Sequence, residues 1–160
     1  MIVIADSSAL VALSICDSLL LLDALFGEVK VPQAVYDEVC ITSKAESQAL
    51  QIYLKGKVCS APTSIIIEKS NGLGKGELAA ISLYKLLSAD LLLIDDARAK
   101  KVAYLNNIEV MGSLGVLILA KKKGVIATIK PALTRLRWSD IYFSENLLEQ
   151  VLVMAGESTE

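Results

Sequence analysis

Residues 91–96 read Leu91-Leu92-Leu93-Ile94-Asp95-Asp96, and the chain opens in the same way with Ile2-Val3-Ile4-Ala5-Asp6-Ser7-Ser8. Each is a short run without a polar residue, closed by acid. Short runs with no polar alternation suit strands buried on both faces, as in a parallel sheet covered by helices on both sides. Working outward, helical patterns separate the short apolar runs. Asp6-Ser7-Ser8 offers N-cap chemistry for a first helix, and Lys30-Val31-Pro32 opens another with proline near its first turn. Further helices are predicted over residues 44–55, from about Gly76 to Leu87, from about Ala97, and after Gly112-Ser113. Between them lie a short extended stretch around Pro62, a flexible loop from Asn71 to Gly76, and a short strand near Glu109-Val110-Met111. Repeated strand–helix units of this kind predict an α/β three-layer sandwich around a central, mostly parallel, twisted sheet. The reading is a single domain over residues 1–160, with the tail from about residue 131 packing as one or two C-terminal helices.

Composition narrows the chemistry. The chain has 160 residues, 54% of them hydrophobic but only 5% aromatic, so the apolar mass is Leu, Ile, Val and Ala. The most apolar stretch, Ala9 to Phe26, is interrupted by Asp17 and Asp23 and makes a poor membrane span. Met1 to Asp6 has no positive segment and carries an acid where a signal peptide is apolar. The expectation is a soluble, cytoplasmic protein with no membrane partner. Cys16, Cys40 and Cys59 are widely spaced, with no C-x-x-C, and read as small buried hydrophobes. Histidine is absent altogether, which removes the serine and cysteine triads that depend on it and the histidine zinc sites. Hydrolysis would have to run on carboxylates, Lys, Tyr or Ser, with a hard metal ion. The net charge of −2 gives no global basic field, although Arg98-Ala99-Lys100-Lys101 and Lys121-Lys122-Lys123 form local clusters that read equally as solvated helix faces or ends.

Four separated acid positions then stand out. Asp6 follows a strand, where it would also serve as a helix cap. Glu38 lies three residues after Val35 and beside Val39, on the margin of a core-facing stripe, whereas Asp37 points elsewhere. Glu77 stands at a helix start above the apolar Ala80, Ile81 and Tyr84. In the pair Asp95-Asp96 one acid can cap a helix, and a cation would keep the other ionised beside it. Open α/β sheets bind ligands outside the carboxyl ends of their strands, where Asp6 and Asp95 or Asp96 fall. Carboxylates without His or Cys favour Mg²⁺ or Mn²⁺ over zinc, and such an ion activates water and clamps a phosphate.

The segments Ile4-Ala5-Asp6-Ser7-Ser8-Ala9-Leu10, Val31-Pro32 with Glu38-Val39, Gly74-Lys75-Gly76-Glu77-Leu78-Ala79-Ala80-Ile81, Leu92-Leu93-Ile94-Asp95-Asp96-Ala97-Arg98-Ala99 and Gly112-Ser113-Leu114-Gly115-Val116-Leu117 occur in this order. Together they resemble the PIN-domain family, most closely its prokaryotic VapC-like branch, over roughly residues 1–127. The resemblance implies a Mg²⁺- or Mn²⁺-dependent endoribonuclease, commonly the toxin of a toxin–antitoxin pair and frequently a homodimer. It matches Asp6, Glu38, Glu77 and Asp95 to the catalytic acids, with Asp96 competing for the last place. Asp6, Asp95 or Asp96, and Glu77 would hold metal. Ser7 or Ser8, and Ser113, fit the supporting hydroxyl positions, Ser113 where many relatives carry Thr. Lys75, Arg98 and Lys100 are the candidate RNA phosphate contacts.

Two other readings compete. A receiver-like phosphoacceptor domain would place its paired acids after the first strand, and here the pair comes late. A catalytically inactive PIN-like interaction module would use an apolar stripe such as Leu147-Leu148, Val151-Leu152 and Ala155 to dock a partner, unless that stripe packs on the protein's own core.

Overall fold

In the computed structural model, which describes residues 1–41, 45–61, 65 and 67–158, the first strand to be made is the middle of the sheet. Strand β1 (Ile2–Ala5) pairs on one side with β2 (Glu28–Pro32) and on the other with β4 (Leu91–Leu93). Beyond these lie β3 (Val58–Cys59) and β5 (Val110–Met111), giving the order β3-β2-β1-β4-β5 with every pairing parallel. The expected α/β sandwich is present. Val3, Ile4, Ala5, Leu92 and Leu93 have no exposed surface, as a sheet covered on both faces requires.

Helices make every crossover. α1 (Ser7–Ile15) and α2 (Leu20–Phe26) join β1 to β2, and α3 (Gln33–Cys40) with α4 (Ala45–Leu54) joins β2 to β3. α5 (Lys75–Leu87) then carries the chain back across the sheet, packing on β1, β2 and β4. α6 (Ala97–Leu105) leads to β5, and α7 (Ser113–Lys122), α8 (Lys130–Arg137) and α9 (Glu145–Met154) follow. The chain moves outward on one side of β1 and resumes on the other, so the topological switch lies between β1 and β4.

The apolar stretch from Ala9 to Phe26 is two helices, α1 and α2, bent by 115°. Asp17, at φ 54°, sits in the left-handed region between them, a conformation Asp tolerates better than most residues. Among the described residues no single helix is long and apolar enough to cross a membrane.

The structure refines several expectations. Lys30-Val31-Pro32 leads into helix α3 as expected, with Pro32 as its N-cap, but the same residues also end strand β2, a strand hidden by the charged Glu28 and Lys30. Pro32 suits the junction because its φ of −76° serves a strand end and the N-cap of α3 alike, and the missing N–H is not needed there. Cys16 is buried, but Cys40 and Cys59 are only half-buried. Pro62 lies outside the described residues, and among the described residues of its stretch Val58–Cys59 form strand β3. Most of the stripe on α9 is covered by the protein itself, with Leu148, Val151, Leu152 and Ala155 in the core and Leu147 exposed.

The C-terminal helices are tied down by one carboxylate. Glu157 accepts hydrogen bonds from Thr128 Oγ1 and, at 2.8 Å, from the Ile129 backbone N–H, and it pairs with Lys121 Nζ at 3.1 Å. The Lys121-Lys122-Lys123 cluster thus forms the last turn and C-cap of α7, where cations favour the helix dipole, and one of its members is used internally. Burial raises the Glu157 pKa, but the bonds from Thr128, Ile129 and Lys121 outweigh it, and the net shift is downward. A carboxylate with a lowered folded pKa stabilises fully at neutral pH and loses that contribution as pH falls through its folded value. Glu157→Ala should remove about 1–3 kcal/mol at pH 7, or roughly 3–10 °C in Tm, and the difference from wild type should shrink on acidification; thermal melts from pH 7 to 3 would measure it.

Candidate active site

Parallel pairing of β1 with β4 aligns Ala5 with Leu93, so both strands deliver their acids to the same edge. The Asp6 N–H donates to Leu93 O at 2.9 Å, fixing the chain as it leaves the sheet. Ser8 Oγ then joins the two acids. It donates to Asp6 Oδ2 at 3.1 Å and accepts from the Asp95 backbone N–H at 2.9 Å. Asp6 also caps α1, its Oδ2 lying 3.5 Å from the Ser8 backbone N. The cap and the candidate catalytic roles therefore coexist in one side chain.

Asp95 and Asp96 separate as their different surroundings dictate. Asp96 is the N-cap of α6 and accepts from the Arg98 N–H at 3.1 Å. Asp95 turns toward the start of α7, where Oδ1 accepts from the Ser113 N–H and Oδ2 from Ser113 Oγ, each at 2.6 Å. Ser113 is fully buried and serves Asp95 with both of its donors.

The other two acids meet at the start of α5. Glu38 is exposed as a residue, not part of the buried margin expected for it, because only Val35 and Val39 of its helix turn into the core. Its carboxylate is nevertheless held at both oxygens, by Ser7 Oγ at 2.5 Å and by the Gly76 N–H at 3.0 Å. Glu77 reaches back to accept from the Gly74 N–H at 2.9 Å, half of a capping box that satisfies the helix start. The four acids are thus linked through Ser7, Ser8 and the first turn of α5. Both serines matter, Ser7 to Glu38 and Ser8 to Asp6 and Asp95.

Two carboxylate oxygens in this set, Asp6 Oδ1 and Glu77 Oε2, are buried and have no hydrogen-bond partner. Asp6 is only 2% exposed. Burial is the main force pushing its pKa up to about 6, with the Glu77 charge adding to it and bonds from Ser7 and Ser8 opposing. Leaving two buried carboxylate oxygens unsatisfied, on acids close enough for the Glu77 charge to act on Asp6, is costly for the protein alone, and it is what a hard cation would relieve. The donors therefore fit Mg²⁺ or Mn²⁺ in kind. Among the described residues no three acids are yet drawn together closely enough to form a complete metal cage.

The basic candidates surround this region unequally. Lys100 is half-buried, its Nζ 3.1 Å from where a Cβ on Gly112 would stand. Arg98 is exposed, with Nη1 donating to Gly72 O at 3.2 Å. Lys75 is exposed and borders a mainly apolar groove of about 690 Å³ between α3 and α5, with Glu38 on the same rim and Pro32, Leu78 and Ala79 along its wall.

An all-parallel sheet with carboxylates at its switch point defines an α/β protein with an acidic candidate site. The chain belongs to the PIN-domain family: a family model described as a PIN domain matches residues 2–157. PIN domains are generally nucleases that use divalent metals. No curated protein matches the sequence.

Asp6 supplies a test that needs no substrate. Its folded pKa of about 6 exceeds the ordinary 3.8, so between those values the folded state holds more proton than the unfolded one. Stability should therefore fall as pH rises through this window. Asp6→Asn should abolish that slope and raise the metal-free stability at pH 7 by up to about 3 kcal/mol, as read by urea unfolding. A variant less stable than wild type at pH 7 would refute the strain assigned to Asp6.

Proposed function

We propose that this protein is a Mg²⁺- or Mn²⁺-dependent endoribonuclease that hydrolyses phosphodiester bonds in RNA. The observation that carries the reading is the pair of buried, unpartnered oxygens on Asp6 and Glu77 at the switch point of the sheet. Asp6, Glu77 and Asp95 would hold the metal, which supplies an activated water and charge to offset the scissile phosphate. Asp96 is a weaker ligand candidate because it is occupied in capping α6.

The chain's own residues divide the remaining work. Ser8 keeps Asp6 and Asp95 in register, and Ser113 orients Asp95 through two short bonds. Glu38, held by Ser7 and Gly76, faces the same region as an acceptor able to orient water or take up a proton. Lys100, Lys75 and Arg98 would contact phosphates and place the RNA without reading its sequence. In its biological setting we assign the protein as the toxin of a VapC-like toxin–antitoxin pair, acting as a cytoplasmic homodimer restrained by a cognate antitoxin protein. The support for that assignment is the motif resemblance.

Two outcomes are expected. Millimolar Mn²⁺ should raise the Tm of the wild-type protein by several degrees and leave Asp6→Asn nearly unmoved, since only a folded site with its acids binds the ion. Cleavage of end-labelled RNA should need the metal and fall at least 100-fold, about 3 kcal/mol in barrier, in Asp6→Asn and Asp95→Asn. A flat Tm, or full activity in either variant, would sink the reading.

A further inference from the structure

Gly76 and Gly112 occupy positions where backbone conformation does not ask for glycine. Gly76 is the second residue of α5 and Gly112 the N-cap of α7, at φ −91° and ψ 173°, and neither is among the glycines with positive φ. Inside a helix glycine is the less stable choice beside alanine. At Gly76 something else must account for the missing side chain, whereas at Gly112 the N-cap already tolerates glycine and packing supplies a further reason.

Both absent side chains coincide with a carboxylate. A Cβ built on Gly76 would lie 2.8 Å from Glu38 Oε2, 2.7 Å from its Cδ and nearer still to Oε1. A Cβ on Gly112 would lie 2.6 Å from Asp95 Oδ1. In each case an adjoining N–H grips the same carboxylate, that of Gly76 for Glu38 and that of Ser113 for Asp95. The two acids come from elsewhere in the chain and lie over the first turn of a helix that is not their own.

We propose that Gly76 and Gly112 are positioning residues of the nuclease site, each holding open the space in which one acid's carboxylate rests against a helix N-terminus. This rests on the functional reading above, in that it gives the catalytic acids their orientation. The closest obstructing atoms are the ends of acidic side chains rather than backbone, with the flexible end of Lys100 also 3.1 Å from a Cβ on Gly112, so an added methyl displaces the carboxylate first and leaves the fold standing. Alanine at either position therefore acts through the acid it evicts.

A double-mutant cycle tests this on the full chain. Gly76→Ala should keep the wild-type circular dichroism spectrum yet slow Mn²⁺-dependent RNA cleavage at least tenfold. In a Glu38→Ala background the same substitution should have no further effect on rate. Gly112→Ala should behave likewise against Asp95→Ala. Full activity in Gly76→Ala and Gly112→Ala, or effects that multiply in the double variants, would overturn the proposal. Melting of the metal-free proteins decides it independently of any nuclease activity. Gly76→Ala should raise Tm once Glu38 is alanine, through better helix propensity, and should fail to raise it while Glu38 is present. Equal gains in both backgrounds would overturn the assignment even in an active nuclease, and unequal gains would support it even if no RNA were cut. Should Gly76→Ala not fold, recovery of the fold by adding Glu38→Ala would support the contact, and no recovery would overturn it.

Discussion

The pairing of β1 with β4 is the constraint on which the rest of the molecule depends. It brings residues 2–5 beside residues 91–93, in a register that releases Asp6 and Asp95 at one edge of the sheet. Parallel strands can be joined only by crossovers, so every neighbour of β1 requires helices, and those helices provide the remaining site groups. Glu38 comes from the crossover after β2 and Glu77 from the helix that returns the chain to β4. The site is a product of sheet order before it is a product of any one residue.

Electrostatics then divides the acids into two kinds. Glu38 and Asp95 have both oxygens engaged by hydroxyls and backbone N–H groups, which fixes their direction. Asp6 and Glu77 each keep one buried oxygen with nothing to bind. Stability alone would fill such positions with neutral side chains. Retaining them places a local deficit of positive charge at the point where the topology leaves a crevice, as functional sites commonly do.

Much of this was legible in the sequence because buried parallel strands have an unmistakable composition. Ile2–Ala5 and Leu91–Leu93 contain no polar residue, and acid follows both within two residues. β2 was less readable, since Glu28 and Lys30 break its apolar run and Pro32 suggests a helix start as strongly as a strand end. The choice between Asp95 and Asp96 was unreadable in principle. Adjacent acids are equivalent until tertiary structure decides which one caps α6 and which one meets Ser113, eighteen residues away. Glu38 shows the opposite failure, for its spacing suggested burial while its actual restraint comes from Ser7 and Gly76, in other segments. Helical periodicity reports the face of one helix, and says nothing of a carboxylate held across a gap between two.

The sheet order also sets when the acids can meet during synthesis. β1 is made well before its partner on the β4 side, which comes only with residues 91–93, and Ser113, which orients Asp95, follows only after α6 and β5. At usual elongation rates of about 5–20 residues per second, the nascent chain spends roughly 5–20 s with its central strand half-paired and its carboxylates apart. A partly made copy therefore has no assembled acidic crevice until most of the domain has emerged.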